Sequence, residues 1–323
     1  MKKTTMTKIL ILLLVLTTAF AMSACKRKTS PNHAAQQPAA TPTPYPEGEV
    51  EAIELDPESP EGYIGTIEID GVDCPLILHD NLSYAIVKEE AMVVYTLFTD
   101  DVLESYTIPE YVDYELKHYP VTSIDDDAFT DFTDAVTISI PSSVKKIGID
   151  AFDGCEGLEE IIIAEGVESI ASGAFSNCTA LKSITLPSTI KELGDGLFFG
   201  CEALETVVLS EGITAIPDDT FSNCEALASI VIPSTLKTIG SEAFWTCTSL
   251  GAIRLPDGLT TIGDRCFYDC ESLTELTLPS TLTSIGDSLF DYCEKLAVIY
   301  VPSDKVDSYT ELFEEYEPVI RGY

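Results

Sequence analysis

The chain is expected to fold as a repeat solenoid of 23-residue coils, stacked on a parallel β-sheet and closed by short helical turns. A small β cap should precede the coils and a capping helix should follow them. Three observations lead there. Phenylalanine returns at Phe129, Phe152, Phe175, Phe198, Phe221, Phe244, Phe267 and Phe290, always 23 residues on and without an insertion. Cysteine follows three residues later in seven of these eight copies, from Cys155 to Cys293, with Phe132 in the first. Between these anchors apolar residues alternate with polar ones and run into a proline, as in "LKSITLP" from Leu181 to Pro187.

Each repeated position has a physical reason. The alternation in "LKSITL" predicts a short strand with Leu181, Ile184 and Leu186 turned inward around a small irregularity. Pro187 ends the pairing, because it has no N–H to give a neighbour. Asp or Ser stands three residues before the Phe in seven copies (Asp126, Ser172, Asp195, Asp218, Ser241, Asp264, Asp287), which predicts the N-cap of a single helical turn. Residues at −1, 0 and +3 from the Phe would then share the inner face of that turn. One coil cannot bury so many apolar side chains alone, but coils stacked about 4.8 Å apart can. These residues resemble the BspA-like leucine-rich repeats, also called the Treponema-type repeat, with a pattern close to "AFxxCxxLxxIxLPxxVxxIG". The resemblance spans about residues 102–302 and implies a surface-displayed binding protein.

The start of the chain is of a different kind. Lys2, Lys3 and Lys8 precede an apolar run from Ile9 to Met22, and Ser23-Ala24 are small, so residues 1–24 are expected to be a signal peptide. Met22-Ser23-Ala24-Cys25 resembles the bacterial lipobox, which implies a mature chain beginning at a diacylglyceryl-modified Cys25. Two acyl chains anchor a protein stably where one does not. Residues 25–60 are rich in Pro, Ala and Thr and poor in large apolar residues, so they read as a tether. Extended at roughly 3.1 Å per residue it would reach on the order of 100 Å. The later "LPSTI" and "LPSTL" are repeat fragments and not wall-anchor motifs.

Flanking the solenoid, residues 61–101 read as antiparallel strands in "YIGTIEIDGVDCPLILHD", "LSYAIV" and "MVVYTLF". "SYTIPEYVDYELKHYPVTSI" then looks like a degenerate repeat carrying an insertion. Such a segment would cover the first apolar coil. In residues 303–323, Val306, Tyr309, Leu312, Phe313 and Tyr316 have helical spacing behind a Ser303 cap, predicting a terminal helix.

The repeated cysteines are expected to be reduced. Neighbouring coils put their Cα atoms within reach of a disulfide, but parallel side chains leave the Cβ atoms about 5 Å apart where a bridge needs about 3.8 Å. A metal site would need ligands that converge, whereas a ladder spreads along an axis. A buried thiol instead serves as a small apolar residue with a weak donor. Cys266 replaces the usual alanine.

Charge narrows the partners. The chain has 18 basic and 54 acidic residues; six basic ones precede residue 29 and no acidic one precedes Glu47, leaving 12 against 54, or −42, beyond residue 28. That excludes nucleic acid as a reasonable partner. No cofactor and no metal are implied. The three histidines lie outside the repeats, and "GTIEIDGVDCPLIL" is similar to the opening strands of sortases, with Cys74 and His79 close by. Neither falls where that family places its catalytic groups, so the expected protein is not an enzyme. Acidic pairs such as Asp218-Asp219 lack the spacing of a calcium loop and read as solvated caps.

What remains is surface. The outward strand positions, eight and ten after each Phe, are mostly small and β-favouring, and include Arg254 and Tyr300. The position one after the Phe should face outward and is aromatic in three copies, Phe199, Trp245 and Tyr268. Trp245 is the chain's one tryptophan, and adjacent exposed aromatics are the residue type that dominates interfaces. The sequence thus predicts an exported, lipid-anchored protein at the outer face of a bacterial membrane, binding an extracellular or surface protein or glycoprotein. The competing class is a structural or envelope-assembly component without a specific ligand.

Overall fold

A computed structural model of the protein describes residues 63–69, 71–79, 82–96, 104–313 and 319–323. The segments expected to be a signal peptide and a tether, with Cys25, lie outside the described residues. The eight coils form the predicted solenoid. One side of each coil carries a strand of three or four residues. Ser105–Thr107, Thr137–Ile140, Glu160–Ile163, Ser183–Thr185, Thr206–Val208 and Ser229–Val231 pair in parallel as one sheet. Ala252–Arg254, Glu275–Thr277, Val298–Val301 and Val319–Gly322 form a second. Two-residue strands such as Lys146–Ile147, Ser169–Ile170 and Glu192–Leu193 pair coil to coil further round.

The core is a set of columns running down the rod. All eight repeat phenylalanines are buried, and successive rings lie 4.7–6.0 Å apart with 8–19° between planes. Such offset pairs add about 0.5–1.5 kcal/mol beyond the area they bury. At the front, Phe132 occupies the cysteine position and meets Tyr106 edge-on at 5.0 Å. At the back, Phe313 closes the column edge-on against Phe290 at 5.4 Å. The larger side chains thus stand where a neighbouring coil is missing.

The helical turn expected before and after each Phe is not a helix. The residues two before and two after every repeat Phe have positive φ, as at Asp150 (51°) and Gly154 (70°) around Phe152. A helix would satisfy its N–H groups within its own turn. Here they point along the rod: Asp150, Phe152 and Gly154 donate to the carbonyls of Ser172, Ala174 and Ser176 in the next coil at 2.9–3.0 Å. Three such bonds cross every one of the seven junctions between the coils. Three of the five Asp residues read as N-caps accept instead from the next coil: Ile149, Ser241 and Asp287 donate their backbone N–H to Asp126, Asp218 and Asp264 at 2.7–2.9 Å.

The cysteines complete this ladder. Each of the seven repeat thiols donates to the carbonyl of the Phe one coil back, from Cys155 to Phe129 through Cys293 to Phe267, at 3.0–3.3 Å. That carbonyl also takes the N–H of its own coil, as in Cys155 N–H to Phe152 at 3.3 Å. All seven are free thiols, buried except for the half-buried Cys293. Burial pushes Cys224, Cys247 and Cys266 far above the usual thiol range, and hydrogen bonding with neighbouring thiols does so for Cys178 and Cys270.

The two ends differ in part from expectation. β1 (Tyr63–Ile69), β2 (Val72–His79), β3 (Leu82–Val87) and β4 (Glu90–Thr96) form an antiparallel meander. β4 pairs in parallel with β7 (Lys117–Ile124), so the meander continues the solenoid's own sheet. Ile77, Leu82, Tyr84 and Val93 join the main core. Between β5 (Ser105–Thr107) and β7, β6 (Tyr111–Tyr114) folds back on β7 as the inserted hairpin. At the far end α1 spans only Val306–Leu312, after a 3₁₀ turn at Ser303–Lys305. Ser303 is not its cap; its hydroxyl donates to the carbonyl of Tyr323 at 2.7 Å. Leu312 is exposed, and Tyr316 lies outside the described residues. The chain then adds the unforeseen strand Val319–Gly322 beside Val298–Val301.

Two measurements check this architecture. Phe198→Ala should cost about 3–5 kcal/mol in urea unfolding, because it leaves a void in a middle coil. Thr206→Ala, on the outward sheet face, should stay within about 0.5 kcal/mol, and equal effects would show a wrong register. A thiol reagent applied to the native protein should label Cys293 first among the repeat cysteines. After denaturation without reductant every repeat cysteine should titrate as free; two hydrogens missing per pair, restored by reductant, would reveal bridges.

Candidate binding surface

Strand geometry separates the predicted surface residues into two groups. On the sheet side, Arg254, Thr277 and Tyr300 stand in register on three successive strands, and Arg321 follows on the fourth. Arg254 and Arg321 are exposed and Tyr300 is half-buried. The same column continues towards the N-terminus with Val231, Val208, Thr185 and Ile162, all exposed. No acidic side chain stands in this column from Thr107 to Arg321. It is a flat, β-branched strip on an otherwise acidic molecule.

The aromatic residues lie on the turn side. The inter-coil ladder fixes them, since Trp245 and Tyr268 accept at their carbonyls from Asn223 and Thr246 N–H at 2.8 Å. Their rings are 4.7 Å apart, tilted by 35°. Tyr292 extends the row, 5.0 Å from Tyr268 and 65% exposed. Arg265 lies over Trp245 with its guanidinium carbon 5.5 Å from the ring centroid and pairs with Glu242 at 2.9 Å. Burial first, then the hydrogen bond with Tyr292, pushes the Tyr268 hydroxyl up. Phe199, 39% exposed, stands apart from this row, since the intervening position is the buried Ser222. Sequence reasoning missed Tyr292 and Arg265, which flank the position it tracked by one and three residues. A sidelong search of neighbouring positions for aromatic and cationic residues would have found both.

Cys74 and His79 do not form a catalytic pair. They are five residues apart on β2, hence on opposite faces of the strand. Cys74 is 2% exposed and His79 is exposed. Burial, and then the charge of Asp73, raise the Cys74 thiol, whereas a nucleophile needs a lowered one. Among the described residues no three His, Cys, Asp or Glu side chains are grouped so as to hold a metal ion.

A leucine-rich repeat protein from Bacteroides ovatus is 28% identical with a TM-score of 0.53, over 70% of this chain and 70% of its own. The leucine-rich repeat protein of T. pallidum is 27% identical with a TM-score of 0.52, over 76% of this chain and 99% of its own. No curated protein matches the chain. The family model described as "BspA type Leucine rich repeat region (6 copies)" matches residues 97–228 and 214–318, which together cover more than half of the sequence and all eight coils. The chain belongs to the BspA-type leucine-rich repeat family.

Proposed function

We propose that this is an exported, lipid-anchored protein of the bacterial cell surface that binds extracellular proteins or glycoproteins and has no catalytic activity. The observation that carries the reading is the contiguous row Trp245–Tyr268–Tyr292, rings 4.7 and 5.0 Å apart, on coils whose cores are filled without it. Membership of a leucine-rich repeat family supports a protein-interaction role, since stacked coils offer long surfaces built from equivalent positions. The lipobox-like Met22-Ser23-Ala24-Cys25 and the tether that follows supply a reason for display at a distance from the membrane.

Two experiments test the reading. The wild-type protein should partition with membranes and yield a diacylated N-terminal peptide, and Cys25→Ala should release or mislocalise it. Wild-type protein found wholly in the medium with an unmodified N-terminus would end the anchoring proposal. A screen of the full mature chain against extracellular proteins and glycans should then return a saturable partner; none would favour a purely structural role.

A further inference from the structure

We propose that the Trp245–Tyr268–Tyr292 edge receives a basic, extended segment of a partner protein, with a lysine or arginine side chain laid against the tyrosine rings. This names the chemistry of the partner for the surface described above and rests on the reading of the protein as a binder.

Aromatic faces attract cations, and desolvation strengthens the attraction. The protein already uses this contact internally, with Arg265 over Trp245 held in place by Glu242. Tyr268 and Tyr292 continue the row beyond Arg265, and no internal cation is placed over either ring among the described contacts. The surroundings carry the complementary charge. The turn segments 241–248, 264–271 and 287–294 hold seven carboxylates (Glu242, Asp264, Asp269, Glu271, Asp287, Asp291, Glu294) against one cation, Arg265. Charges of Asp291 and Asp269 contribute to raising the Tyr268 hydroxyl, so their field reaches the ring. Asp269 is itself raised, by burial and by Glu294, as expected where carboxylates crowd without cations. An acidic segment would be repelled here, and a neutral glycan could stack on the rings without using the carboxylates.

Tyr292 adds an independent sign. It has φ of 63°, at the position where the other coils place Asp131, Gly154, Asn177, Gly200, Asn223, Thr246 and Asp269, none of them aromatic. A left-handed backbone suits Gly and Asn and disfavours a bulky side chain. The core gains nothing from the tyrosine, which is 65% exposed. An aromatic residue held against backbone preference, beside two others and within a carboxylate field, points to recognition.

The test uses the full mature chain and a fluorescent peptide of alternating lysine and serine. Matched peptides carrying norleucine or glutamate for lysine, and a neutral oligosaccharide, serve as comparisons. The lysine peptide should bind alone among these, more weakly as salt rises. Trp245→Ser with Tyr268→Ser and Tyr292→Ser, which leaves formal charge unchanged, should lower its affinity by more than about tenfold. Replacing the same three residues by Phe should keep binding within about twofold. Asp269→Asn with Asp291→Asn should weaken it by at least about threefold, and this pair carries the test should the serine variant unfold. Undiminished binding by the serine variant would show diffuse attraction to an acidic surface and overturn the proposal. So would equal binding of the norleucine peptide or the oligosaccharide. A protein partner that binds wild type and serine variant alike would leave the protein a binder and remove this site; absence of any partner for wild type would remove the broader reading.

Discussion

The structure depends on where each coil sends its backbone N–H groups. On the turn side three of them leave the coil at every junction and end on carbonyls of the next. That fixes the rise from coil to coil near the spacing of parallel strands, and the strand side obeys the same spacing. A turn that pairs outward in this way cannot be helical, so two residues per coil adopt left-handed conformations, often Gly, Asn or Asp. The phenylalanine column follows, because rings held at that rise can only stack. The cysteine follows as well. Its side chain must be small, apolar and still able to give a hydrogen to the Phe carbonyl one coil back, and a thiol meets all three needs.

Much of this was legible in the sequence, because a period without insertions fixes the register outright. Phe198, Cys201, Leu204 and Val207 occupy the buried positions that the alternation assigned them. The meander of β1 to β4 and the hairpin insertion were also legible, from alternation and turn residues. The turn was misread because "AFxxC" has the spacing of a helix face. The contrary signal stood beside it, in the Gly, Asn and Asp residues two before and two after the Phe. Ser303 misled for a related reason: a serine before a helical pattern suggests a cap, but Tyr323, just past the returning strand Val319–Gly322, takes its hydroxyl. Nothing local announces that strand, whose partner lies about twenty residues back. On the turn side, position placed Trp245 and Tyr268 side by side, but both are half-buried where exposed rings were expected, because each leans on its neighbour in the row. Tyr292 escaped because its neighbour Asp291 holds the equivalent place.

A repeat also stacks like upon like, which is awkward for charged positions. The chain softens this by alternating signs in a few columns. Lys182 pairs with Glu159 one coil back at 2.5 Å, and Lys191 with Glu168 at 2.8 Å. Both pairs are exposed and contribute little to stability. Both join the coils of Phe152 and Phe175, where they set opposite charges one above the other. Towards the C-terminal coils such pairs give way to the aromatic row, where Arg265 and Glu242 form the last ion pair among the described residues.

The absence of any insertion across eight coils has an evolutionary consequence. Recombination between two copies adds or removes whole coils, and each event preserves every ladder because each coil bonds only its immediate neighbours. A duplication of any length that is not a multiple of 23 residues would sever them. The closing side chains, Phe132 in front and Phe313 behind, belong to the ends and need not change. Rod length can therefore drift between lineages in steps of about 5 Å while both termini stay as they are. Displayed surface is then a quantity that natural selection can adjust by copy number, without inventing a single new contact.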